Sequence, residues 1–283
     1  MKDEERLAPE MEVTDYTDPQ CPFCVDAYKS DVVKPIDTRR VIEKLDDYLG
    51  HNDYAGAERH LKDWEQEARQ GNDLRGEFSI AEEFMGLYRK LARKEEAIAY
   101  AEKALHSIDR LEIGDTVGAA TACLNAGTVY KAFGMAEKGI PLFERARVIY
   151  EEKLPPQDAR LAGLYNNYAL TLVDLKRFDD ARARYARALE ILASSEGSEP
   201  EMAITELNLA SLAEAQYGLE AAEREIEGHL DRAEKLMKTE GIRKDGNYAF
   251  VAEKCAPVFG YYGWFGVEAE LADEAKRIYG EKK

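Results

Sequence analysis

The sequence predicts an all-α protein, an array of antiparallel helix pairs, on three observations. Residues 124–146 align without gaps to 166–188, an offset of 42. Small side chains recur at the same places in both copies: Gly127, Gly139 and Ala146, then Ala169, Ala181 and Ala188. Each copy also holds two stretches with apolar residues at i, i+3, i+4 and i+7, the helical period, separated by a few residues such as Gly134 or Lys176-Arg177.

The elements follow in order. Residues 1–37 are different in kind: residues 1–38 hold ten acids against four bases, prolines at 9, 19, 22 and 35, and no amphipathic period until the end. They read as an extended acidic arm, either disordered or laid along the array so as to cover a binding site. From residue 38 to 283 one array of six pairs is expected, at about 38–72, 76–113, 117–154, 159–196, 200–240 and 246–280. The three-point frame reads Leu45, Ala57, Trp64 in the first pair and Met85, Ala97, Ala104 in the second. In the fifth it reads Ala210, Ala222 and, one turn late, Ala233, and in the sixth Ala256, Glu268, Ala275. Small frame residues let paired helices approach closely, and Tyr88, Tyr130, Phe143, Phe178 and Tyr185 fill what remains. Turn-forming clusters separate the pairs, among them Gln70-Gly71-Asn72-Asp73 and Lys244-Asp245-Gly246-Asn247.

With these positions in place, the frame resembles the tetratricopeptide repeat. Gly127, Tyr130, Gly139, Phe143 and Ala146 match its small and aromatic positions, as do Ala169, Phe178, Ala181, Tyr185 and Ala188. The 42-residue period and the Asn-x-Ala/Gly element are similar to the repeats of kinesin light chains and their bacterial relatives. The resemblance implies a right-handed superhelical solenoid whose concave groove is lined by the first helix of each pair. It implies no enzyme.

Candidate contacts follow from that groove. Asn125, Asn167 and Asn208 recur two residues before the small frame residue, with Asn166 beside the second. At 100° per residue they lie about 200° around the helix from the frame position, facing away from their own hairpin. Such carboxamides either bond the backbone of an extended peptide or tie neighbouring repeats together. Three such bonds contribute about 0.5–1.5 kcal/mol each, short of the roughly 8 kcal/mol of micromolar binding, so side-chain pockets must supply the rest. Arg89 and Lys131 occupy one position in consecutive repeats, as either an anion-receiving pair or solvated surface charge. The C-terminal run Phe259-Gly-Tyr-Tyr-Gly-Trp-Phe-Gly266 reads as cap packing or as a sticky end for a partner.

Other classes are disfavoured. A balance of 39 basic against 56 acidic residues, formally −17, repels nucleic-acid phosphates and anionic membranes. No apolar run approaches the roughly 20 residues of a membrane span, and acids stand where a secretory signal would be basic, so a cytoplasmic location is expected. There is no phosphate loop, G-x-S-x-G or H-E-x-x-H, so no catalytic residues and no cofactor are expected. Cys21-Pro22-Phe23-Cys24 is the one C-x-x-C; inert thiols are the expectation, and a zinc site is conceivable only if Cys255 joins Cys21 and Cys24. The functional expectation is a non-enzymatic scaffold that binds a protein or peptide. A peptide-sensing module acting on a separate effector, and a self-associating structural module, are the alternatives.

Overall fold

The computed structural model describes residues 33–281, so Cys21, Cys24 and almost all of the acidic arm lie outside the described residues. Among the described residues there are twelve helices and no strand. They are α1 (Thr38–Gly50), α2 (Tyr54–Gln70), α3 (Leu74–Lys90), α4 (Lys94–Arg110), α5 (Val117–Ala132) and α6 (Ala136–Lys153). Then come α7 (Ala159–Asp174), α8 (Phe178–Leu192), α9 (Glu199–Tyr217), α10 (Leu219–Met237), α11 (Gly246–Tyr261) and α12 (Phe265–Glu281). The chain divides into two compact units, Met1–Ile80 and Ala81–Lys283.

In the first unit α1 packs on α2 through Val41, Leu45, Ala57 and Leu61, all essentially inaccessible. Aspartates start the helices. Asp37 accepts from the Arg40 amide (3.1 Å) and Asp53 from the Gly56 amide (2.8 Å), meeting donors that a helix N-terminus leaves unpaired. Asp73 does so for α3 through the Gly76 amide (2.9 Å), and its other oxygen accepts from the Ile36 amide (2.9 Å). Lys34 donates its amide to the Gly71 carbonyl (2.8 Å), so the segment before α1 is bonded to the α2–α3 turn.

In the second unit the small frame residues sit where helices cross. A Cβ on Gly127 would stand 2.9 Å from the Phe143 ring, and one on Gly139 would stand 3.1 Å from the Gly127 carbonyl oxygen. Those distances leave no room for a side chain at the α5–α6 crossing. In α7 and α8, Ala169, Ala181 and Ala188 are fully buried with Tyr185. Earlier, Phe84 of α3 stacks on Tyr100 of α4 with centroids 4.3 Å apart. The last pair solves its packing differently: at the frame position Glu268 the carboxylate lies directly over the Cα of Gly260, in the space a Cβ there would fill.

Turns are uniform. Asn52, Ala92, Gly134, Lys176, Gly218 and Gly263, one in the turn of each pair, all have φ between 55° and 84°. Only glycine adopts that conformation without cost, so Ala92 and Lys176 are held there by the packing of the helices they join. Beyond the pairs, α5 neighbours α7, α7 neighbours α9 and α9 neighbours α11, so the first helices of the last four pairs form a continuous layer.

Candidate functional site

Between α3 and α5, inside the second unit, lies a cleft of about 310 Å³ lined by Glu82, Glu83, Met85, Gly86, Arg89, Thr121, Asn125, Thr128 and Val129. Residues 82, 86 and 89 of α3 and 121, 125 and 128 of α5 are both i, i+4, i+7 sets, so each helix turns one face to the cleft. Gly86 and the two threonines keep it open. The threonine hydroxyls are occupied: Thr128 donates to the Leu124 carbonyl (2.9 Å), and Thr121 donates to the Val117 carbonyl (3.0 Å) while sharing a bond with the Tyr150 hydroxyl (2.7 Å).

The charges are not satisfied in the same way. Burial and the adjacent Glu83 charge push the Glu82 carboxyl up to about 7, and one long bond from Asn125 Nδ2 (3.5 Å) offsets this only in part. Arg89 is exposed at the mouth of the cleft, its guanidinium lowered from its usual range by the protein that partly surrounds it, and it makes no hydrogen bond or ion pair among the described residues. At the equivalent positions of later repeats the side chains are engaged. Lys131 lies 3.7 Å from Asp174, Val173 is apolar, and Glu214 accepts from the hydroxyls of Tyr261 and Tyr262, both at 2.7 Å.

The asparagines divide similarly. Asn166 of α7 donates to Thr205 of α9 (2.9 Å), joining neighbouring repeats, while its Oδ1 is buried without a partner. Asn167 donates to the Gly163 carbonyl of its own helix (2.8 Å), and Asn208 is half-buried on α9. Asn125 is thus the one of the four that lines the cleft with Arg89. In the first unit a wider cleft of about 610 Å³ is lined by Tyr48, His60 and Trp64 among others. There Lys44 is paired with Asp47 (2.5 Å), and the His60 ring bonds the Val41 carbonyl (2.9 Å).

A tetratricopeptide-repeat family model matches residues 86–106. Among solved structures, BtubC (BKLC) from P. vanneervenii is similar at a TM-score of 0.51 and 20% identity, covering 82% of this chain and 92% of that one. A variant of the P. anserina putative kinesin light chain with nearly identical TPR-like repeats is similar at a TM-score of 0.50 and 13% identity, covering 71% of this chain and 94% of that one. The fold is of the tetratricopeptide-repeat type. No curated protein matches the chain. Tetratricopeptide-repeat folds generally serve as non-enzymatic scaffolds for protein interaction.

Within this tetratricopeptide-repeat array, Glu82 has a measurable signature. Its folded pKa, about 7, stands above the ordinary 4.5, so the fold favours its neutral form. That stabilisation is complete below about pH 4.5 and is lost as pH rises through 7. Glu82→Gln, neutral at every pH, is expected to be more stable than the parent by about 2 kcal/mol at pH 8 and equal to it near pH 4. Urea denaturation at the two pH values checks this; a Gln variant less stable at pH 8 contradicts it.

A buried polar network, not foreseen from the sequence, joins α8, α9 and α10. Glu206 and His229 have side chains only 9% exposed, with Oε2 and Nδ1 2.6 Å apart. Arg232 Nε donates to the same Glu206 oxygen (2.9 Å). Glu225 receives Arg182 Nη1 (2.6 Å), and Arg182 Nη2 donates to Gln216 (3.1 Å). Burial alone would raise the Glu206 carboxyl, but hydrogen bonds from His229 and Arg232 outweigh it and hold the group below the usual carboxylate range.

The C-terminal aromatics are split. Phe259 is fully buried with Trp264 beside it (centroids 5.8 Å), while Tyr261 and Phe265 are both 68% exposed. Cys123 and Cys255 are buried free thiols, and burial pushes Cys255 up to about 12. No group of three or more His, Cys, Asp or Glu side chains is arranged to hold a metal among the described residues. No helix among them is long and apolar enough to cross a membrane.

Proposed function

We propose that this protein is a non-enzymatic scaffold that binds a protein or peptide along the layer of first helices, anchored in the α3–α5 cleft. The observation that carries the reading is Arg89. Lining a cleft beside Asn125, its side chain is exposed and has no hydrogen-bond or ion-pair partner among the described residues, whereas Lys131 and Glu214 at the equivalent positions are engaged within the array. An exposed guanidinium with no partner of its own is free to form a bidentate, charge-assisted bond with a ligand anion. Asn125 can add one donor and one acceptor.

The test is a quantitative pull-down from the native host followed by mass spectrometry, comparing the parent with Arg89→Ala combined with Asn125→Ala. A surface variant such as Lys276→Ala serves as control. A partner held by parent and control and depleted at least tenfold with the double variant is expected. Identical partner sets for all three proteins would sink the reading. A parallel variant with Asn125, Asn167 and Asn208 all changed to Ala reads the carboxamide ladder: retention by this variant with loss by the double variant places the anchor at Arg89 rather than along the ladder.

A further inference from the structure

We infer that the turn edge of the last two pairs is a docking surface for a basic amphipathic segment of a partner protein, one that combines large apolar side chains with lysine or arginine. None of its residues lines the α3–α5 cleft, so it is a second surface and does not depend on that anchor. The edge is built from the residues that flank two turns. Tyr217 ends α9 and Leu219 starts α10, both 54% exposed; Tyr261 ends α11 and Phe265 starts α12, both 68% exposed. The two turns lie side by side. Helix α9 neighbours α11, and Glu214, one helical turn before Tyr217, accepts from the hydroxyls of Tyr261 and Tyr262, both at 2.7 Å. The two tyrosine rings meet at 79° with centroids 4.9 Å apart. The Tyr261 hydroxyl is therefore tied down while most of its ring stays in water.

Helix pairing does not require this display. At the turns of the second, third and fourth pairs the exposed flanking residues are charged or small, among them Lys90, Lys94, Ala132, Asp174 and Lys176. Large apolar side chains gathered at two neighbouring turns, where the same fold elsewhere places lysine or alanine, mark an interaction surface. Charge decides the occupant. Residues 214–223 and 259–268 hold four carboxylates, Glu214, Glu220, Glu223 and Glu268, and no basic side chain. None of the four makes an ion pair among the described residues, and Glu220 and Glu223 are exposed. Glu223 follows Leu219 by four residues and so shares its face of α10. Such a rim accepts ammonium or guanidinium groups, and the tyrosine faces attract the same cations. A second copy would set like carboxylates against one another, and an anionic bilayer would meet a chain of formal charge −17.

The test is the fluorescence anisotropy of a labelled peptide of about 14 residues, leucine and lysine in helical period, titrated with the full chain at about 0.15 M salt. The same peptide with glutamate for every lysine is the charge control. The lysine peptide is expected to bind with a Kd below about 100 μM, and the glutamate peptide is expected not to bind. Leu219→Ser combined with Phe265→Ser removes two of the exposed apolar side chains at helix starts, where serine is well accommodated, and is expected to weaken binding at least tenfold. Glu220→Gln combined with Glu223→Gln is expected to weaken it at least threefold. Glu137→Gln combined with Glu196→Gln makes the same change of charge at exposed positions elsewhere in the second unit and is expected to leave binding unchanged. All the altered side chains are exposed, so thermal denaturation is expected to be close to that of the parent in each variant. No binding of the lysine peptide, equal binding by the parent and the Leu219 and Phe265 variant, or an equal loss with the Glu137 and Glu196 variant overturns the inference. So do two results that would reassign the surface: cosedimentation of the parent with phosphatidylserine vesicles, or its self-association in the ultracentrifuge, either one abolished in the Leu219 and Phe265 variant.

Discussion

Phe143→Ala is expected to destabilise the second unit by about 3–5 kcal/mol, the usual cost of emptying an aromatic site in a packed core. Phe143 is fully inaccessible, its ring fills the space over Gly127 and Gly139, and it stacks on Tyr168 of the next repeat at 5.4 Å. Neither glycine carries a side chain that could relax into the hole, and both lie on helices whose approach is already limited by backbone contact. The loss therefore falls on the α5–α6 crossing and on the junction with α7. In a repeat array, where stability is roughly a sum of units and their nearest-neighbour interfaces, both terms drop together. Urea denaturation monitored by circular dichroism reads the effect. A midpoint unchanged from the parent would mean that the crossing is not packed as described.

Glu206→Ala is the second large effect, expected at about 3 kcal/mol at pH 7. The substitution leaves His229 buried without its carboxylate and removes the acceptor of Arg232 Nε, which together join α9 to α10. Glu206→Gln keeps an acceptor and is expected to cost clearly less. The sign with pH is opposite to that of Glu82. Because the folded Glu206 carboxyl is held below its ordinary 4.5, its stabilisation is present above pH 4.5 and is lost as pH falls through the folded value. The difference between parent and Glu206→Gln should therefore narrow in acid. Thermal denaturation at pH 7 and pH 4 measures both; a Glu206→Ala variant within about 0.5 kcal/mol of the parent contradicts the account.

The repeat was legible because close helix crossings demand small residues at fixed spacing, and Gly127, Gly139, Ala169 and Ala181 state that demand in the chain itself. The cleft was half legible. Arg89 could be picked out by aligning it with Lys131, but Glu82 could not, since Leu124 and Leu207 stand at its position elsewhere and an acid on an amphipathic helix reads as wet surface. What sets its chemistry is burial against α5, a property of two helices and not of one. The asparagine positions were readable from helical phase, yet the bond from Asn166 to Thr205 spans 39 residues and depends on how neighbouring pairs stack. His229 illustrates the limit most clearly. Its spacing to Glu225 and Arg232 is local, but the partner that buries it, Glu206, is 23 residues upstream on another helix.

The contact between Gly260 and Glu268 makes the two positions interdependent. A Cβ at 260 would overlap the Glu268 carboxylate as it now lies. The overlapping atoms are the far end of a flexible, half-buried side chain, so the carboxylate can swing toward solvent and make room. A glycine within a helix costs about 1 kcal/mol relative to alanine, so Gly260→Ala trades a gain in helix propensity against the displacement of one carboxylate. The terminal pair is in this sense adjustable, where the Gly127 and Gly139 crossing, closed by an aromatic ring and a backbone carbonyl, is not.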